Sequence, residues 1–549
     1  MSSAEESPRA SAGAALPSRG GASSSADAWS GREWIALAAL IGVLLVSLVW
    51  FVHPWYDATN DGSMYIACAR SILSGEGYAF LGEPFRIRPP GLSYLIAPVI
   101  AVVGTDFQAL NLTISLFGVL GVVLLFVFQR ERLGWPLALC VALLVWLNPG
   151  YQRSCNQVMS EMPGVALLLA ALCIERWAVR APGLKSRLLR ELLLGIAIAA
   201  AAYVRTVNVL LAPAIVAARV LRRPSADEAG AGAARLGLRL VPAAAVAVLL
   251  MLPWSLRNAA AEPPPPADQT YLYSYSTGMW HADAGDPRSP RLSFQDVLER
   301  VPTQSLKTVE VLGSRMKAVL PLRNGQLAYG SEWTIERDSG PLVWIVAIVL
   351  LAGALISLVK HRAPSDVFTW FALGVIAIYF GFDDRLLMPI FVLVLPATVG
   401  LVRDLVRTVA GERLSTTIVG VGVLLLAVID IDPRGDWDRI RRQHEGFVAI
   451  ADTARNALPS GARLAAPVGW HYGVYLERDV YSLQWNVIRA AREGASGPQA
   501  MEATIDARDI DAVLVSPRVP TDGTYLPYFK QRGYEGLVEA ADVSLFRVR

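Results

Sequence analysis

Charge is scarce in this 549-residue chain. Asp, Glu, Lys and Arg make up 18% of it, against roughly 25% in an ordinary soluble protein. Hydrophobic residues reach 54%, and they are bunched into runs. Several runs attain the ~20 residues that a helix needs to cross a bilayer. A soluble globular chain is thereby excluded. The net charge of +3 is too small to point to a partner. No cluster of Lys and Arg is interleaved with exposed aromatics, so no nucleic acid is expected as a partner. Only four cysteines are present. No CxxC or HExxH pattern occurs, so the sequence carries no signature of a structural zinc site. Cys140 and Cys173 sit inside apolar runs, as packing residues do. Cys68 and Cys155 fall near one face, and their spacing does not decide whether they are bonded. There is no nucleotide-binding pattern and no convincing internal repeat.

What is present is a polytopic α-helical membrane protein with a C-terminal extracytoplasmic α/β domain. Residues 1–30, rich in Ser, Ala and Gly, cannot bury a core and are expected to form a disordered cytoplasmic tail. The first run, Trp34 to Val52, is too long for a signal-peptide core and is expected to stay in the membrane. Basic loops remain cytoplasmic. Arg130 and Arg132, then Arg176 to Arg190, then Arg219 to Arg239, then Lys360 and Arg362, and last Arg403 to Arg413 mark five such loops. Residues 53–108, 148–161, 204–207, 257–342, 381–385 and 432–549 then face out. This gives about eleven spans, and up to thirteen, within a membrane domain of residues 31–431. The segment 92–104 is short for a crossing and reads as juxtamembrane or re-entrant. In the long outer loop 257–342, AEPPPPADQ should be extended. YLYSYSTGMW is an aromatic belt or a platform for a sugar ring or isoprenoid chain. From 432 to 549 the apolar runs shorten to strand length in ARLAAPV, DAVLVSP and VSLFRV, with helical stretches such as GFVAIADTARNAL between them. This outer domain is expected to shape the substrate site or stabilise the rest.

Polar residues at the outer ends of the runs are the candidates for chemistry. Asp57 and Asp61, four apart, share a face if the segment is helical, with Tyr65 one turn further. A carboxylate there can act as general base or hold a divalent metal; the plainer reading is a solvated acid. Glu161, in SEMPG, opens an apolar helix, where the macrodipole alone would favour an acid. The topology puts it on the same side as Asp61. Arg88, before Pro89-Pro90, offers a donor fork that suits phosphate oxygens or anchors to headgroups. Arg205 interrupts an apolar stretch and so should face a polar cavity or a partner. Arg385, in DDRLLMP, either pairs with Asp383 and Asp384 or binds phosphate. Arg257 ends the run that leads into the long loop.

Taken in order, DGSMYIACAR, SGEGY, RPPGLSYL, SEMP, YVR, PWSLRN and DRLLMP resemble the GT-C superfamily of membrane glycosyltransferases. The resemblance is to its protein O-mannosyltransferase-like and aminoarabinose-transferase-like group, over about residues 34–430. It implies that Asp61, four residues before Tyr65, is the catalytic acid of the first loop. It implies that Arg88 replaces a Lys that meets the carrier phosphate, that Glu161 is the second acidic position, and that Arg385 helps with phosphate. Ile87 stands where an acid often precedes that Lys, which puts any metal site built on it in doubt. Asp57 has no clear counterpart. The activity implied is an inverting transfer of a sugar from a polyprenyl-phosphate donor to an extracytoplasmic hydroxyl on a glycan, lipid or protein. Asp61 would act with Glu161 or a divalent metal, in the bacterial cytoplasmic (inner) membrane, with the N-terminus in the cytoplasm. The rival classes are a transporter or flippase of a lipid-linked substrate and a non-catalytic scaffold.

Overall fold

The computed structural model describes residues 29–221, 241–261, 274–282, 287–316, 340–379, 381, 384–429, 437–467, 469–483, 497–516, 525–540 and 543–548. Several sequence expectations lie outside these residues: the tail up to residue 28, the Pro-rich stretch 262–268, Tyr271 to Tyr273, Arg222, Arg223, Arg235, Arg239, and Asp383.

The chain is a polytopic helical membrane protein. Its first half runs through α1 (Gly31–Phe51), α2 (Asn60–Leu73), the strands β1 (Ala79–Phe80) and β2 (Glu83–Pro84), α3 (Gly91–Val103), α4 (Phe107–Leu133) and α5 (Trp135–Leu147). It continues through α6 (Pro149–Cys155), α7 (Glu161–Val179), α8 (Leu184–Val204), a 3-10 turn (Thr206–Leu210) and α9 (Leu211–Leu221). Then come α10 (Pro242–Ala260), α11 (Tyr275–Trp280), α12 (Phe294–Leu298), α13 (Arg300–Ser314), α14 (Pro341–His361) and α15 (Pro364–Ile378). A 3-10 turn (Asp384–Leu387) leads into α16 (Met388–Ala410) and α17 (Glu412–Ile429).

Among the described residues, six helices are long and apolar enough to cross a membrane: 31–51, 107–133, 161–179, 242–260, 341–361 and 385–410. Shorter apolar helices cover 91–103, 135–147, 206–221 and 364–378. The first of these short helices, α3, has 13 residues, fewer than the roughly 20 of a crossing. Many leucines and valines on α10 and α14 stay exposed, as a lipid-facing surface requires because lipid carries no hydrophobic cost.

The first loop is shaped by glycine. Gly75 and Gly77, both at positive φ, let the chain turn away from the end of α2. Leu81 and Gly82, at φ 52° and 76°, join β1 to β2, as a tight hairpin demands.

The C-terminal residues form α18 (Trp437–Ala457), β3 (Leu464–Ala466), α19 (Gly469–Leu476), β4 (Val480–Ser482), α20 (Gly497–Ala507), β5 (Ala512–Val515), α21 (Leu526–Gln531), β6 (Glu535–Ala540) and β7 (Val543–Arg547). The sheet order is β4-β3-β5-β7-β6. β3 is parallel to both β4 and β5, while β7 is antiparallel to β5 and β6. Alternate residues serve opposite faces, as strand geometry requires. Leu464, Ala466, Ala512, Leu514 and Leu545 belong to the same buried cluster as Phe447 and Ile450 of α18 and the membrane helices. Ala465, Val513, Val515 and Phe546 pack instead on Met501, Ile505 and Phe529. Cys68 and Cys155 are both buried as free thiols.

Candidate active site

The site begins at the first turn of α2. Thr59 caps the helix, its hydroxyl accepting from the Gly62 amide at 3.1 Å. Asp61 falls in that first turn, where the positive end of the helix dipole suits a carboxylate. Gly62 is required by crowding. A Cβ there would come within 2.6 Å of Thr59 Oγ1 and 2.9 Å of the Tyr56 hydroxyl.

Two arginines from distant parts of the chain converge on Asp61. Arg88 Nη2 donates to Asp61 Oδ1 at 2.6 Å. Arg385 Nη2 lies 3.6 Å from Asp61 Oδ2. Arg88 comes from the approach to α3, which is held where the Tyr78 hydroxyl donates to the Arg88 carbonyl at 3.1 Å. Its Nη1 donates to the Tyr275 hydroxyl. Burial pulls the Arg88 guanidinium toward neutrality, but Asp61 and the hydroxyls of Tyr275, Tyr65 and Tyr379 outweigh it and hold its pKa well above the arginine norm. Arg385 comes from the 3-10 turn before α16, and its Nη1 reaches Met159 Sδ at 3.4 Å. Tyr65, one turn beyond Asp61, is 2% exposed. Burial raises its phenol.

The second acid sits beside this group. Glu161 opens α7 and is buried. Arg205, which ends α8, donates from Nη1 to Glu161 Oε1 at 2.8 Å. The charge in the apolar stretch therefore has an acid as its partner. The same Arg205 donates from Nη2 to the Arg385 carbonyl at 3.2 Å. Asp61, Arg88, Glu161, Arg205 and Arg385, spread over more than three hundred residues, thus make one contiguous cluster.

Two sequence-predicted residues are not part of it. Asp57 does not share a helical face with Asp61, because the Thr59 cap starts α2 between them. Asp57 is 4% exposed and accepts from Gln157 Nε2. Arg153 and Arg439 lie 3.5 and 3.9 Å from its carboxylate. Arg257 donates to the Phe85 and Tyr78 carbonyls, each at 2.6 Å, and lies over the Trp254 ring. It secures the hairpin loop. The cluster residue that sequence reasoning passed over is Tyr275. It lies within the aromatic stretch YLYSYSTGMW, and that stretch was its only signal.

Asp61 and Glu161 as found do not suit a divalent cation. Each carboxylate faces a guanidinium, and among the described residues no three His, Cys, Asp or Glu side chains are grouped to hold a metal ion.

No protein-family model matches the chain, and no curated protein matches its sequence. Solved structures do match. ArnT from Cupriavidus metallidurans bound to undecaprenyl phosphate aligns over 94% of this chain and 98% of its own, with a TM-score of 0.59 and 13% identity. The oligosaccharyltransferase AglB from Archaeoglobus fulgidus, in complex with an inhibitory peptide and a dolichol-phosphate, aligns over 88% of this chain and 70% of its own, with a TM-score of 0.54 and 15% identity. The same archaeal enzyme tethered to an acceptor peptide gives a TM-score of 0.54 at 13% identity, over 92% and 72% of the two chains. At such identities the likeness is one of fold alone: the chain shares the architecture of ArnT and of the archaeal oligosaccharyltransferase.

Proposed function

We propose that this protein is an inverting glycosyltransferase that moves a sugar from a polyprenyl-phosphate donor to a hydroxyl at the extracytoplasmic side of a membrane. The observation that carries the proposal is Asp61 bridged by Arg88 and Arg385 at the ends of apolar helices. A carboxylate held between two guanidiniums marks a site where an anion of similar shape can bind. The lipids in the ArnT and AglB complexes both carry a phosphate, and a polyprenyl phosphate supplies such an anion at the membrane surface.

In the mechanism, the donor phosphate takes over the Arg88 and Arg385 guanidiniums. Asp61, released from them, becomes basic enough to accept the proton of the acceptor hydroxyl. The hydroxyl oxygen attacks the anomeric carbon from the face opposite the phosphate. The bond from that carbon to the phosphate oxygen breaks, its electron pair stays with the phosphate, and configuration inverts. The phosphate is an acidic leaving group and needs charge stabilisation rather than protonation. The two arginines provide it without reorganising. No step is assigned to a metal ion. The acceptor, and whether the sugar is a hexose or a pentose, are set by parts of the site beyond this cluster.

The test is release of undecaprenyl phosphate from a panel of synthetic undecaprenyl-phosphate pentoses and hexoses by the purified full chain in nanodiscs, with bacterial envelope extract as acceptor. Asp61→Asn is expected to reduce release about 10²- to 10⁴-fold, the usual worth of a general base. Release that survives this substitution refutes the proposal. A flippase would instead move a fluorescent donor across liposome membranes with no dependence on Asp61.

A further inference from the structure

Glu161 occupies the position of a second catalytic acid, yet its surroundings are not those of a base waiting for a hydroxyl. Its side chain is 3% exposed, and that of its partner Arg205 is 9% exposed. Arg205 Nη1 bonds Glu161 Oε1 at 2.8 Å and also reaches Ser160 Oγ at 3.3 Å. Gly164 leaves the room it needs on α7, since a Cβ there would stand 3.1 Å from Arg205 Cδ. The other arm of the fork, Nη2, holds the backbone carbonyl of Arg385. That carbonyl belongs to the residue whose own guanidinium faces Asp61. A planar guanidinium can make two such directed bonds at once, whereas an ammonium is a single point of charge.

We propose that Glu161 is a positioning residue: acting through Arg205, it fixes the Arg385 turn and so aims the Arg385 guanidinium at the phosphate of a polyprenyl-phosphate ligand. This rests on the reading above, in which Arg88 and Arg385 take that phosphate. Of the two acids, only Asp61 then receives a proton. The opposing view is that Glu161 Oε2, which is buried without a hydrogen-bond partner among the described residues, takes the proton itself.

The experiment measures binding of undecaprenyl phosphate, and of undecaprenol as its uncharged control, to the full chain in nanodiscs. Glu161→Gln removes the charge that holds Arg205. Arg205→Lys keeps a cation beside Glu161 but loses the second arm. Each is expected to weaken undecaprenyl phosphate about tenfold, the order of one charge-assisted hydrogen bond, and to leave undecaprenol unchanged. The double variant should be no worse than either single one, because the two residues act in one chain of contacts. Wild-type affinity in both single variants overturns the inference. If Glu161→Gln does not fold, Arg205→Lys decides alone: a tenfold loss supports positioning, and no loss makes Arg205 a mere counterion. If the wild-type chain binds undecaprenol as tightly as undecaprenyl phosphate, the functional reading itself falls, and this inference with it.

Discussion

Replacing Asp61 by Asn should move binding and turnover in opposite directions. In the structure the carboxylate holds the two cations that the proposed mechanism gives to the donor phosphate. Arg88 Nη2 lies 2.6 Å away and Arg385 Nη2 lies 3.6 Å away. Unit charges 4 Å apart near a protein surface interact by about 4 kcal/mol at an effective dielectric of ~20. The side chains of Asp61, Arg88 and Arg385 keep 15–18% of their exposure, so solvent reduces this figure. A hydrogen bond to a charged group nets about 1.5–3 kcal/mol. Asparagine has the same shape and retains part of that bond. Freeing the two guanidiniums should therefore favour an incoming phosphate by about 1.4 kcal/mol, which is roughly tenfold in affinity. Binding of undecaprenyl phosphate in nanodiscs, titrated beside the release assay, reads both effects in one preparation. Tighter phosphate binding with turnover lowered about 10²- to 10⁴-fold is the expected pair. If Asp61→Asn loosens phosphate, the carboxylate serves to hold the arginines in place, and the exchange of partners on which the mechanism depends is wrong.

Arg88→Lys keeps the charge but cannot bond Asp61 and Tyr275 together as the fork does; it should weaken undecaprenyl phosphate about 10- to 100-fold, from a loss of about 1.5–3 kcal/mol. Gly62→Ala forces a methyl group against Thr59 Oγ1 and the Tyr56 hydroxyl; overpacking of about 1–3 kcal/mol should lower the thermal midpoint and displace Asp61, so turnover falls as well. Burial pushes His471 down to about 4, whereas the unfolded imidazole titrates near 6.5. The unfolded chain therefore binds the extra proton first, and roughly 3 kcal/mol of stability is lost as pH falls from about 6.5 to 4. His471→Gln should flatten part of that dependence in thermal unfolding scans. A residual slope is expected, because burial also lowers His53 and His444. A variant whose pH profile matches the wild type would show that folding leaves the His471 pKa unshifted.

The arginines and acids of the cluster were legible because each interrupts or ends an apolar run, where an ionised group is costly without a purpose. The rule that basic loops stay inside then put their ends on one side. Neither argument gives pairing. That Arg205 meets Glu161 while Arg88 and Arg385 meet Asp61 depends on how the helices rotate, which spacing does not encode. The face expected to be shared by Asp57 and Asp61 does not form, because an i, i+4 relation holds only inside one helix and α2 begins at Asn60. The sequence carried the correction in Thr59-Asn60-Asp61-Gly62, since a threonine is a good first residue for a cap. Arg257 ends its run as the others do, but its partners are the carbonyls of Tyr78 and Phe85, and backbone acceptors have no sequence signature. Of the short C-terminal strands, β3, β5 and β7 were readable from the length of their apolar runs, and β4 and β6 were not. The attachment of the C-terminal part to α2 was not readable either, because its contacts join residues some four hundred positions apart.

That attachment explains why the acid four residues before Asp61 belongs to a different task. The C-terminal part grips α2 and its approach through side chains of α18 and α19. His471 Nδ1 lies 2.8 Å from Ser63 Oγ, which in turn lies 2.9 Å from the Tyr56 hydroxyl. Arg70 donates to the Gly473 and Val474 carbonyls at 3.2 and 2.7 Å. Asp57 adds charge to the same grip, with Arg439 of α18 on one side and Arg153 of α6 on the other. Tyr56 and Phe107 stack, and the Tyr475 ring packs against both. A general base must be held to within about 0.5 Å of its productive position to be effective. Here the C-terminal part holds α2 through His471 and Arg70, and Asp61 in its first turn meets guanidiniums from the loop before α3 and the 3-10 turn before α16. Asp57 and Asp61 therefore have different partners: the first ties the segment to Arg439 of the C-terminal part and Arg153 of α6, and the second stays at the cluster with Arg88 and Arg385, the pair that the proposed mechanism gives to the donor phosphate.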